Sequence, residues 1–153
     1  MKLVAKIITE DFVQNSVIKY LEQRGWSKSL KSSELWEHGV DIKVRNDKFS
    51  RYWLIEAKGD PSIIVKSPGG SRSSGFNSAL GQIITRMHRK GKRVYKYGYK
   101  YGIAFPHSYR NMILKKLPFD VMDKLNLYLF FVDHKGVVEE IDWKKMMTIK
   151  SSL

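Results

Sequence analysis

The chain has 153 residues, 42% of them hydrophobic, and no cysteine, which allows one ordinary core, is short for two, and excludes disulfides and thiolate metal sites. No apolar run approaches the roughly 18 residues of a membrane span, and the opening "MKLVAKIITEDF" is interrupted by Lys2, Lys6, Glu10 and Asp11, so neither a signal peptide nor a span is expected and a reducing, cytoplasmic setting fits. The net charge of +13 points to a polyanionic partner, and it is concentrated: between Asp60 and Asp120 there is no acid, while twelve Lys or Arg fall there.

In chain order, "TEDFVQNSVIKYLEQRGW" reads as a helix, with Thr9 as N-cap, Glu10 and Asp11 at the positive end of the dipole, and Val13, Val17, Tyr20 and Leu21 at helical spacing. "GVDIKVR" alternates, sending Val40, Ile42 and Val44 one way and Asp41, Lys43 and Arg45 the other. "NDKFS" has turn chemistry, and "RYWLIEAKG" supplies the return strand of a hairpin. "DPSIIVKSPGGSRSSG", with Pro61, Pro68 and three glycines, reads as a mobile loop. A second helix is expected over "FNSALGQIITRMHRKG", then a strand "YKYGIAFP", a helix "SYRNMILKKL", a helical turn "FDVMDKLN", a strongly apolar strand "LYLFFVD", a segment "VVEEID" that pairs back or runs out, and a short amphipathic helix "WKKMMTIK". There is no internal repeat and no linker, so a single mixed α/β domain over residues 1–153 is expected.

The hairpin carries the chemistry. A turn around Asp47 and Lys48 sets Asp41 opposite or nearly opposite Glu56, and like charges at that separation, about 4.5–5.5 Å between Cβ atoms, repel. Either one carboxylate takes a proton or a cation lies between them. Lys58 is two residues beyond Glu56 and leaves the same strand face. Hard oxygen ligands with room for water and phosphate favour Mg²⁺ or Mn²⁺ over zinc, and the combination suits phosphodiester hydrolysis. Taken alone, a Glu-x-Lys is common, and a surface ion pair there would be worth less than about 1 kcal/mol.

"GVDIKV" and "IEAKG", with fifteen residues from Asp41 to Glu56, resemble the PD-(D/E)xK nuclease superfamily, which includes many restriction endonucleases, Mrr-type nucleases and Holliday-junction resolvases. The proline often found before the first acid is Val40 here. The resemblance covers roughly residues 9 to 106. It implies a restriction endonuclease-like core, a central mixed sheet flanked by helices in the order αβββαβ, with an extra C-terminal helix and strands. It further implies that Asp41, Glu56 and the Ala57 carbonyl hold the metal and that Lys58 serves the attacking water. "LGQIITRM" resembles the Gln-x-x-x-Arg pattern of some branches, which brings in Gln82 and Arg86, one helical turn apart. Several branches place a glutamate in the first helix about twelve residues before a Gly-aromatic pair such as Gly25-Trp26; that count lands on Gln14, and Glu10, one turn earlier on the same face, is the acid that would substitute, or else an ordinary first-turn acid.

The expected function is a metal-dependent endonuclease cutting DNA, probed with Mg²⁺ or Mn²⁺. Lys66, Arg72, Arg86, Arg89, Lys90, Lys92 and Arg93 would grip the backbone without reading sequence. Two other readings stand beside it: a nucleic-acid-binding module without catalysis on the same fold, and a basic scaffold for structured RNA. A chain with one site cuts one strand, so a double-strand cut implies a homodimer or higher symmetric oligomer; "LYLFFVD", Trp143, Met146 and Met147 are candidate interface residues, with the core the better use of the first. "GSRSSG" lacks the Gly-Lys-Ser/Thr of a phosphate loop. The four histidines show no metal spacing, and only His38 is near the hairpin acids. The tyrosines of "VYKYGYKY" suit either base stacking or strand packing.

Overall fold

The computed structural model describes residues 7–27, 41–46, 51–61, 68–87 and 99–152. Thr9 caps helix α1 (Glu10–Glu22), its side chain accepting the Phe12 N–H, and Val13, Val17 and Leu21 form the buried stripe that the 3.6-residue period requires. Strands β1 (Ile42–Asn46) and β2 (Arg51–Ala57) pair antiparallel with Ile42 across from Ile55 and Val44 across from Trp53. Helix α2 (Pro68–Arg86) then crosses to β3 (Tyr99–Pro106), which lies parallel to β2. A single 3₁₀ turn (His107–Tyr109) leads into α3 (Arg110–Lys116) and α4 (Phe119–Leu125). Strand β4 (Leu127–Val132) runs parallel to β3, β5 (Val138–Ile141) pairs back on β4 antiparallel, and α5 (Trp143–Ser151) closes the described chain.

The result is a five-stranded mixed sheet in the order β1-β2-β3-β4-β5. Because successive side chains of a strand alternate, each strand feeds two cores. Val13, Val17 and Leu21 of α1 pack with Trp53, Ile55, Ala57 and Phe130 on one face. Phe76, Ala79 and Ile83 of α2, Ile113 and Leu114 of α3, Met122 of α4 and Met146 of α5 pack with Leu54, Ile103, Phe105 and Phe131 on the other. The near-continuous burial of β3 and β4 is what a central parallel pair demands.

Three expectations change. The "PGGSRSSG" stretch is not loop: α2 begins at Pro68, so its first two turns are built from Gly and Ser. Pro is suited to a first helical turn, and the buried Phe76, Ala79 and Ile83 anchor the helix against the sheet, outweighing propensities that run against Gly by about 1 kcal/mol each. Gly75 is needed by space, since a Cβ there would lie 3.1 Å from the Tyr109 hydroxyl. The same helix stops at Arg86 rather than continuing to Gly91. Between α1 and α2 the described residues hold β1 and β2, with an isolated bridge from Ser27 to Arg45 beside them, and the third strand of the expected order falls outside the described residues. Finally, Met146, a candidate interface residue, is core, while most of "LYLFFV" is core as expected and Met147 is exposed. Among the described residues no helix is long and apolar enough to cross a membrane.

Candidate active site

The hairpin register decides the centre of the site. With Ile42 opposite Ile55, the next step outward carries Asp41 to the position across from Glu56. Asp41 Oδ2 accepts the Ala57 N–H at 2.7 Å, so the acid that ends β1 is tied to the strand that carries the other. Asp41 is exposed, whereas Glu56 is 2% exposed, the one charged side chain among the described residues that is fully buried. Burial first, then the neighbouring Asp41 carboxylate and a hydrogen bond with it, push the Glu56 carboxyl up to about 8; the Arg86 and Lys58 cations offset only part of this. Around neutral pH Glu56 therefore holds a proton, shared toward Asp41.

Three other elements reach this pair. Lys58 follows β2, its backbone N–H continuing the pairing with β3 by donating to the Ala104 carbonyl at 3.0 Å, and its ammonium acts on both Glu56 and Glu10. Glu10, the first residue of α1, has its carboxyl raised by burial, by Asp41 and by Asp11, with Lys58 opposing. Of the two helix candidates it is thus Glu10 that lies in the field of the acids; Gln14, half-buried one turn later, is the second. From α2, Arg86 Nε stands 3.8 Å from Glu56 Oε1, an ion pair too long for a hydrogen bond. Glu56 Oε1, Gln82 Oε1 and Arg86 Nε are all buried without a hydrogen-bond partner. Buried polar atoms of native proteins are nearly always paired, so Glu56 Oε1 and Arg86 Nε, facing each other at a distance too long for a hydrogen bond, mark a place built for something more than packing. Among the described residues no three His, Cys, Asp or Glu side chains cluster closely enough to hold a metal ion by themselves; the residues that could hold one here are Asp41, Glu56 and backbone oxygens beside them.

No protein-family model matches the chain, and no curated protein matches it in sequence. Two solved structures are similar: the crystal structure of an XisH family protein from Nostoc punctiforme and that of an fdxN element excision controlling factor protein from Anabaena variabilis. Each superposes with a TM-score of 0.53 at 18% identity over 86% of this chain, covering 100% and 99% of its own. The fold is restriction-endonuclease-like. At this level of identity the likeness concerns architecture alone.

The proposed backbone-gripping cations divide. Arg72 sits on α2 rather than on a loop, half-buried, its guanidinium acting on Tyr109. Arg86 lies two complete seven-residue steps further along the same helix line and faces Glu56. Lys66, Arg89, Lys90, Lys92 and Arg93 lie outside the described residues, as does His38. Sequence reasoning passed over the residues that surround the end of β2. Tyr109 is buried, stacks on Phe105 at 4.9 Å between ring centres and donates its hydroxyl to the Gly59 carbonyl at 2.7 Å. Burial and the Asp60 carboxylate push its phenol up to about 12, so it remains a donor at any working pH. Asp60 and Ser108 stand beside it, joined by a hydrogen bond. For Gly59 and Asp60 the sequence signal was adjacency to "EAK", whereas Ser108 and Tyr109, 48 and 50 residues from the partners they bond, carried none.

Proposed function

We propose that the protein is a metal-dependent endonuclease that hydrolyses DNA phosphodiester bonds, with Asp41, Glu56 and Lys58 at its centre. The observation that carries the reading is the buried Glu56, held across from Asp41 with an unpartnered oxygen. A fold maintains such a carboxylate at a cost, and a hard divalent cation offsets that cost by replacing the proton. Asp41, Glu56 and the Ala57 carbonyl would hold Mg²⁺ or Mn²⁺. When bound, the ion supplies Lewis-acid polarisation of a phosphoryl oxygen and a water of lowered pKa.

The remaining roles follow from position. Glu56 would bind the cation as carboxylate, the ion taking the place of its proton. Lys58 Nζ, on the same strand face, orients the attacking water and neutralises charge that develops on the phosphoryl oxygens. Glu10 accepts a hydrogen bond from that water, and its raised affinity for protons suits it to take one. Arg86 and Arg72 on α2, together with the basic segment through Arg93, contact phosphates and leave sequence unread. A symmetric dimer would supply the second cut of a duplex.

The decisive experiment incubates the purified protein with duplex DNA, branched DNA and RNA in Mg²⁺, Mn²⁺ or EDTA. Cleavage of DNA that needs the metal and is lost in Asp41→Ala and Lys58→Ala is the expected outcome. Salt-sensitive binding without cleavage in any metal refutes catalysis and leaves a binding module.

A further inference from the structure

Glu10 belongs to α1, but the acids it faces belong to the hairpin, so its place depends on how the start of α1 is fixed to the end of β2. The connection is built from both sides of one residue. The Ile8 N–H donates to Asp60 Oδ2 at 2.9 Å, and the Asp60 N–H donates to the Ile8 carbonyl at 2.8 Å. The other carboxylate oxygen of Asp60, Oδ1, accepts the Ser108 hydroxyl. Tyr109 holds the preceding carbonyl, that of Gly59. Gly59 has no room for a side chain: a Cβ would lie 2.5 Å from the Glu10 backbone nitrogen and 2.9 Å from the Thr9 carbonyl carbon. The two backbones touch one residue after Lys58 and at the first residue of the helix.

We infer that Asp60 is a positioning residue: bonded to Ile8 on one side and to Ser108 on the other, it clamps the start of α1 onto the end of β2 and so holds the Glu10 carboxylate at the edge formed by Asp41 and Lys58. Its effect on cleavage rests on the nuclease reading; the clamp itself does not. Asp60 touches no substrate in this role, and its charge is not what matters. An asparagine keeps an oxygen for the Ile8 N–H and offers an N–H that the Ser108 hydroxyl can accept, so Asp60→Asn preserves the clamp while Asp60→Ala removes it.

The test compares Asp60→Ala, Asp60→Asn, Glu10→Ala and the double variant Asp60→Ala/Glu10→Ala, each checked for folding by thermal melting. In the metal-free protein, amide exchange at Ile8 and Phe12 is expected to accelerate at least about tenfold in Asp60→Ala, with the protection of Val17 and Leu21 in the middle of α1 unchanged. In Mg²⁺-dependent cleavage, kcat falls in Asp60→Ala about as far as in Glu10→Ala, KM holds, the double variant falls no further, and Asp60→Asn stays within about threefold of wild type. The inference is overturned if Asp60→Asn is as impaired as Asp60→Ala, if the two losses multiply in the double variant, if Asp60→Ala loses kcat and Glu10→Ala does not, or if exchange at Ile8 is unaltered. Should the wild type cut nothing, the nuclease reading fails separately, and exchange at Ile8 decides the clamp alone.

Discussion

Replacing Glu56 by Gln should destroy activity and, in the absence of metal at alkaline pH, make the protein more stable. Glu56 is 2% exposed and its carboxyl is raised from an ordinary 4.5 to about 8, by burial first and then by Asp41. A carboxyl that binds its proton more tightly in the fold than in the unfolded chain favours the fold most at low pH. Stability therefore falls as pH rises from about 4.5, and levels off above about 8, where both states are ionised. At about 1.4 kcal/mol per pH unit, ionising Glu56 in the fold costs on the order of 4–5 kcal/mol, a large share of the 5–15 kcal/mol that holds a typical domain together. Glu56→Gln removes the titration but leaves one amide group imperfectly paired at about 1–3 kcal/mol, so its net gain at pH 8 is about 1–4 kcal/mol. Urea unfolding in EDTA at pH 5, 6, 7 and 8 measures this, and comparing the two proteins cancels the general effect of the high net charge. Wild type should lose stability across the series while the variant stays nearly level, the curves crossing between pH 5 and 8. Excess Mg²⁺ at pH 8 should stabilise wild type and not the variant. Parallel pH profiles for the two proteins would refute the reasoning.

Lys58→Ala should lower kcat about 10²- to 10⁴-fold, the usual scale for a group acting on the transition state, while DNA affinity measured with Ca²⁺ in place of Mg²⁺ changes less than about threefold. Gly59→Ala should destabilise the protein by about 1–3 kcal/mol in thermal or urea unfolding, because the added methyl meets backbone of Thr9 and Glu10 that cannot move aside cheaply. Arg110 makes two hydrogen bonds to Glu139, at 2.7 and 3.1 Å, with Lys145 at 3.5 Å, joining α3 to β5. These bonds, chiefly Arg110, hold the Glu139 carboxyl below 4.5, so the stability they add is present above that pH and is lost on acidification below it. Since both partners are about one-third exposed, Arg110→Ala should cost only about 1 kcal/mol at pH 7 and less at pH 3, measured by urea unfolding at the two pH values. Arg72→Ala and Arg86→Ala should each reduce the slope of log affinity against log salt by about 1 if they contact phosphate; an unchanged slope in filter-binding or fluorescence titrations would assign them to the scaffold.

What the sequence by itself determined is local and periodic. The alternation of "GVDIKVR", the apolar run of "LYLFFV" and the capped period of the first helix each bury a face whatever lies elsewhere, and they returned as β1, β4 and α1. The pairing of Asp41 with Glu56 was legible too, because a short hairpin leaves few registers that bury Ile42, Val44, Leu54 and Ile55 together. Tertiary structure decided the rest. It made helix of a Gly- and Ser-rich stretch that local propensity assigns to a loop, since Phe76 and Ile83 have a sheet to pack on. It selected Glu10 through contacts of Ile8 with Asp60, 52 residues away. It also set the proton affinity of Glu56, because burial and Asp41, which raise it, and Arg86 and Lys58, which oppose them, come from several elements that no single stretch of the chain contains. Secondary structure follows from neighbours along the chain, whereas a carboxylate's charge and a helix's docking depend on what the fold brings around them.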